Sequence, residues 1–142
     1  VDNLLTRGLA AEATNLEIGW KPATPDVCEA LRLKTGESCL SVTRLRTHVK
    51  TPFSYSRIHV APFAADALDE TNLGSDPILV QIEKAGRYAS SADQTLSATL
   101  AQDPVASALK VPVGSALIQL RRIVFDKSGD PFIYQVSLYR PD

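Results

Sequence analysis

Methionine is absent from the 142 residues, tryptophan occurs once and cysteine twice, and aromatic residues make up only 6%. Cys28 and Cys39 form no Cys-x-x-Cys pair and no Cys/His cluster, which excludes a disulfide framework and points to a reducing cytoplasm. His48 and His59 have no cysteine or carboxylate at ligand spacing, so no metal site is expected. No apolar run approaches the ~20 residues that cross a bilayer, which argues against a membrane partner. Neither sign of charge dominates, with 15 basic against 16 acidic residues and no basic arm, so this segment should not bind nucleic acid by itself. The seven glycines are scattered and cradle no phosphate. There is no Gly-x-Ser-x-Gly elbow and no convergent pair of carboxylates, so no catalytic residue, no cofactor and no enzymatic activity is expected. A first residue of Val1, in a chain without methionine, suggests a start inside a longer protein.

What is present is a repeat. Residues 24–60 and 103–139 share one pattern: a proline-started helix, a glycine turn, a strand with arginine at matched depth, and Pro-Phe-x-Tyr opening a return strand. At an offset of 78, Val27, Ala30, Leu31, Gly36 and Arg44 meet Val105, Ala108, Leu109, Gly114 and Arg122. One extra residue in the second hairpin then aligns Pro52, Phe53 and Tyr55 with Pro131, Phe132 and Tyr134. Two helix-strand-strand units in one chain predict a single domain with pseudo-twofold symmetry and a cleft between its halves. A chain of this length can bury roughly 70% of its unfolded surface in one core.

Local signals give the order of elements. Residues 1–13 read as a linker containing Arg7-Gly8-Leu9, followed by a short strand at 16–20. Thr24 and Pro25 start a helix expected to end near Thr35-Gly36. Period-two alternation predicts a strand over 38–49, with Leu40, Val42, Arg44, Arg46 and His48 on one side, and a return strand over 53–60. A short helix is predicted at 62–68, and a second runs to about Ala85 with Asp76 as its cap. An Ala/Ser/Thr-rich strand follows at 88–101, then a helix at 104–110 and strands at 115–126 and 131–140. Hairpin connections make the sheet antiparallel with helices on one face, an α+β class.

The Arg44-Leu45-Arg46 strand, the Pro52 to Pro62 return strand, Val111-Pro112-Val113-Gly114, and the ending from Asp126-Lys127-Ser128-Gly129-Asp130-Pro131 to Tyr139-Arg140-Pro141-Asp142 together resemble one family. It is the effector-binding (UTRA) domain of bacterial transcription regulators of the GntR superfamily, HutC subfamily, and the resemblance covers essentially all of residues 1–142. It implies a chorismate lyase-like fold, a small-molecule pocket, a homodimer, and operator DNA bound only through an N-terminal winged helix-turn-helix domain not contained in this chain, of which 1–13 would be the linker remnant. Gly8 and Leu9 match a loop whose backbone can close over a ligand, and Tyr139 matches a tyrosine near the pocket. Members that bind phosphorylated amino sugars carry a serine and a tyrosine where this chain has Pro77 and Leu79, and acids where it has Ser56 and Ile133. The departures argue against a phosphate at that helix and leave an amine without acceptors.

The residues make their own case for an anionic effector. Arg44 and Arg46 lie on the strand face that begins as core, where two unpaired like charges are costly and a carboxylate would relieve both. The bland alternative has both arginines reaching solvent or pairing with Asp93 or Glu83. Phe53, Tyr55 and Tyr134 occupy repeated hairpin positions and read as core. Tyr88 opens the Ala/Ser-rich strand and is a candidate wall of the site, while alternation turns either Ser90 or Ser91 inward. The candidate ligand-binding set is Arg44, Arg46, Gly8, Leu9, Tyr88, Tyr139 and Ser56. A chorismate lyase-like enzyme acting on an aromatic acid is the alternative, weakened by Ser56 and Ile133 at its carboxylate positions.

Overall fold

The computed structural model describes residues 12–68, 73–74 and 76–142. Six antiparallel strands form one sheet in the order β1-β2-β3-β6-β5-β4. They are β1 (Glu12–Pro22), β2 (Ser38–His48), β3 (Thr51–Val60), β4 (Ser91–Leu100), β5 (Ala116–Phe125) and β6 (Pro131–Tyr139). Four short helices accompany them: α1 (Pro25–Leu31), α2 (Pro62–Ala65), α3 (Ile78–Lys84) and α4 (Val105–Leu109).

The repeat is carried down to single hydrogen bonds. α1-β2-β3 and α4-β5-β6 are the two units, and β3 and β6 pair at the centre. Each unit's helix stops at a left-handed residue, Arg32 (φ 55°) in one and Lys110 (φ 57°) in the other. The next N–H closes the turn in both, Leu33 on the Cys28 carbonyl and Val111 on the Ala106 carbonyl, each at 3.0 Å. This six-residue closure satisfies the last free carbonyls. Gly36 (φ 90°) and Gly114 (φ 91°) then take positive φ in the turn into the strand, where a side chain would be strained. The register of the β2/β3 hairpin shifts at Arg46/Thr47, and that of β5/β6 at Val124/Phe125, again 78 residues apart.

Several boundaries differ from those read in the sequence. α1 ends at Leu31 rather than at Gly36, because the left-handed cap is filled by Arg32 and the glycine serves the following turn. Thr24 does not cap the backbone; its hydroxyl bonds the Asp26 carboxylate instead. Asp76 is not the cap of α3, a position held by Pro77. The first strand extends from Glu12 through Pro22, well beyond 16–20.

The helices also cover both faces of the sheet, not one. α1 and α4 lie over the face bearing Leu45, Tyr55, His59, Val136 and Leu138, where Tyr55 packs with Val105, Ala106 and Leu109. The opposite face bears Leu40, Val42, Ile58, Val60, Val124 and Ile133, which join Ala64, Ala65, Ile78 and Ile82 of α2 and α3 in the larger core. Each fully buried aliphatic side chain there contributes about 1.5–3 kcal/mol. Phe53, Tyr55 and Tyr134 are buried as expected of hairpin core, and Tyr134 stacks on His59.

Candidate functional site

On the face covered by α3, the apolar core gives way to polar side chains in two rows across the sheet. Strand register sets Asn15, Arg44, Ser56 and Ser137 in one row and Ala13, Arg46, Ser54 and Tyr139 in the next. Arg44 is 1% exposed, and Ser54, Ser56 and Ser137 are buried with it; Arg46 and Tyr139 are half-buried. Tyr139 stands beside Ser54, as the chain's last strand returns through the centre of the sheet.

Arg44 is held by neutral oxygen atoms. Its Nε donates to Asn15 Oδ1 (2.6 Å), Nη1 to the Asp76 carbonyl (2.5 Å), and Nη2 to the carbonyls of Leu73 (3.2 Å) and Gly74 (3.0 Å). Among the described residues four of the five guanidinium N–H groups thereby find an acceptor and one does not. Among the described residues no carboxylate makes an ion pair with Arg44 or Arg46. Burial first, and then the charge of Arg46, pulls the Arg44 pKa down to about 10, with Asp76 acting in the opposite direction. The group therefore stays charged near neutrality.

The hydroxyls beside it are unequally satisfied. Ser56 Oγ and Ser137 Oγ lie 2.7 Å apart, and Gln135 Nε2 donates to Ser137 Oγ at 2.7 Å. Ser54 Oγ is buried with no hydrogen-bond partner among the described residues. An orphaned buried hydroxyl costs about 1–3 kcal/mol, and this one stands in register between Arg46 and Tyr139. No Asp or Glu projects from the strands on this face, while Glu12, Glu17 and Asp93 occupy the other face. The arrangement sets two guanidinium groups among hydroxyl groups that can both donate and accept.

The predicted residues separate into groups. Arg44, Arg46, Ser56 and Tyr139 share this face, Gly8 and Leu9 lie outside the described residues, and Tyr88 is elsewhere. Tyr88, 65% exposed, lines a groove of about 800 Å³ with Phe63, Ile82, Arg87, Ser90 and Asp126. Its lining carries two cations, Arg87 and Lys127, beside Asp126. Arg87 Nη1 pairs with Asp126 Oδ2 at 2.9 Å and its guanidinium lies 4.7 Å from the Phe63 ring centre. Backbone N–H groups of Asp130 and Ser128, with Arg87, hold the Asp126 carboxyl below its usual range. Ser90 and Ser91 are both exposed, and Glu83 accepts from the Ala89 N–H rather than from either arginine.

Asn15, Ser54, Gln135 and Ser137 escaped the sequence reading. Ser54-x-Ser56 repeats the period-two spacing of Arg44-x-Arg46 and could have flagged Ser54. The carbonyls that cage Arg44 have no side-chain signature.

The chain matches the UTRA domain family over residues 6–142. It is similar to the ligand-binding domain of a protein described as a GntR-family transcriptional regulator from Bordetella bronchiseptica, at 25% identity and a TM-score of 0.86, covering 93% of this chain and 83% of that one. A transcriptional regulator from Streptomyces coelicolor superposes at a TM-score of 0.87 with 26% identity, covering 92% and 87% of the two chains. The effector domain of PhnF from Mycobacterium smegmatis, at 18% identity, shares the fold with a TM-score of 0.85 over 93% and 82%. Against the longer PhnF chain, coverage falls to 59% of that protein. The α+β sheet, its duplicated units and these matches place the chain in the UTRA domain family, the effector-binding domain of GntR-family transcription regulators.

Proposed function

We propose that residues 1–142 form the effector-sensing and dimerisation domain of a cytoplasmic HutC-type regulator, and that the effector is an organic acid held by Arg44 and Arg46. Operator DNA would be bound by a winged helix-turn-helix domain preceding this segment, joined through a linker that includes residues 1–13. The observation that carries the reading is the buried Arg44 charge, which makes no ion pair among the described residues, next to Arg46 and the Ser54 hydroxyl, which has no hydrogen-bond partner among the same residues. A carboxylate seated there takes the free N–H of Arg44, the Arg46 fork and the Ser54 O–H, and supplies the missing negative charge.

In this reading the domain senses and does not turn its ligand over. Ser56 is bonded to Ser137 and Ile133 is buried in the core, so neither offers an acid or base for elimination chemistry. The test is thermal melting with 4-hydroxybenzoate, succinate and inorganic phosphate. At a hundredfold excess over Kd a bound acid stabilises by about 2.7 kcal/mol. A rise in Tm with a carboxylate, lost in Arg46→Ala, supports the clamp; a rise unaffected by Arg46→Ala rejects it. Conversion of added chorismate to 4-hydroxybenzoate would overturn the sensor in favour of the enzyme.

A further inference from the structure

The pseudo-twofold axis passes through the pair formed by Arg57 and Val136. These residues face each other in the β3/β6 ladder and stand 79 apart in the chain, the offset that relates the two Pro-Phe-x-Tyr segments. α1 and α4 lie on either side of that axis, and among the described residues the sheet between them is open. Arg57 is accordingly exposed although β3 is one of the two central strands. Alternation puts this opening on the face away from Arg44.

Duplication makes the trough two-lobed. Val27, Ser41, Thr43 and Pro104 line a lobe of about 260 Å³, and their repeat mates Val105, Gln119, Arg121 and Asp26 line one of about 390 Å³. Thr24, Tyr55, Arg57 and His59 border both. The lobes have diverged in charge. In the smaller one the cation Lys21 is paired with Glu17. In the larger one Arg121 stands where the other has Thr43, and among the described residues neither Arg57 nor Arg121 makes an ion pair. Asp26 is bonded by the Thr24 hydroxyl rather than by an arginine. In the ladder only Val136 separates Arg57 from Arg121, two strand spacings or about 10 Å between main chains. Side chains as long as arginine span that gap, so both forks can close on one anion between them.

We infer that the larger lobe binds a small phosphate monoester carrying free hydroxyl groups. The phosphate dianion bridges Arg57 and Arg121 and matches their two charges, where a single carboxylate matches one. Ligand hydroxyls donate to the Asp26 carboxylate and accept from the Gln119 amide, while Val105, Val136 and Leu138 cover the carbon skeleton. A volume of about 390 Å³ falls within the range of small-molecule pockets. This site stands on the opposite face from the acid clamp and does not depend on it.

His59 supplies a reporter. Its ring stacks on Tyr134, and its Nδ1 lies 3.0 Å from Ser41 Oγ. Burial lowers its pKa; Asp26 on α1 opposes that shift, and Arg57 and Lys21 on β1 reinforce it. A phosphate beside Arg57 favours the imidazolium and raises that pKa. Glycerol 3-phosphate titrated into the 142-residue chain at fixed ionic strength should shift the His59 ring protons saturably and raise the pKa, read by NMR with His48 as internal reference. Acetate should do neither. Arg121→Gln, at an exposed position, should leave Tm unchanged and raise Kd about tenfold or more. Arg46→Ala should leave Kd unchanged. Absence of a saturable His59 shift, an equal response to acetate, or a Kd indifferent to Arg121→Gln would overturn the inference. So would loss of binding in Arg46→Ala, which would assign the phosphate to the clamp on the other face.

Discussion

Replacement of Arg44 by methionine tests whether the carbonyl cage or the charge governs this part of the domain. Four hydrogen bonds from a cation, taken at about 1.5–3 kcal/mol each, sum to about 6–12 kcal/mol. That sum overstates the loss, because the guanidinium's own desolvation disappears with it and a buried charge is often replaced by an apolar side chain at little net cost. The acceptors also have alternatives. The Gly74 residue and Asp76 are exposed, and the one acceptor in a buried bond, the Leu73 carbonyl, also receives Gln81 Nε2 at 2.5 Å. The expected loss for Arg44→Met is therefore about 1–3 kcal/mol. At about 3–5 °C per kcal/mol for a domain of this size, Tm falls by about 3–15 °C. Gln81→Ala in the same chain should cost about 1–2 kcal/mol more than the sum of the single changes, since the Leu73 carbonyl then loses both donors. Urea unfolding followed by circular dichroism measures all three variants. A loss above about 5 kcal/mol for Arg44→Met, or strict additivity with Gln81→Ala, would refute the argument.

Ser54→Ala removes the orphaned hydroxyl and should stabilise the unliganded domain by about 1 kcal/mol while weakening the Tm rise given by a bound acid; a destabilised variant would mean that the hydroxyl is already satisfied. Gly36→Ala and Gly114→Ala should each cost about 1 kcal/mol from backbone strain alone, since a methyl group at either position meets nothing within 4 Å; equal melting of variants and parent would contradict it. Burial lowers the His59 pKa, so the unfolded chain takes up this proton first as pH falls. Stability should therefore be fully present above about pH 6.5 and decline as pH drops from there through the folded-state pKa; His59→Gln should lose that portion of the pH dependence in urea titrations.

The duplicated scaffold was legible because a repeat shows itself as spacing. Gly36 and Gly114, the paired arginines and Pro-Phe-x-Tyr recur where the backbone needs them. The helix stop was less legible, since Arg32 and Lys110 take a left-handed cap that composition assigns to glycine. Arg44 and Arg46 were identifiable as charges on a core face. What surrounds Arg44 was not, because its partners are mainly backbone carbonyls from the segment before α3, and any residue supplies a carbonyl. The Ala/Ser-rich strand expected from residue 88 starts at Ser91 and lies at an exposed edge of the sheet. Tyr88 was assigned by proximity in sequence to that strand and stands instead beside Arg87 and Asp126.

The enclosure of Arg44 has a consequence for how the domain would behave in concentrated electrolyte. Dissolved ions screen charges they can approach, over about 8 Å at physiological strength, and they reach a half-open guanidinium such as Arg46 far more readily than one sealed at 1% exposure. Rising salt would therefore screen the charge of Arg46 while leaving that of Arg44, and the carbonyl contacts that enclose it, nearly unchanged.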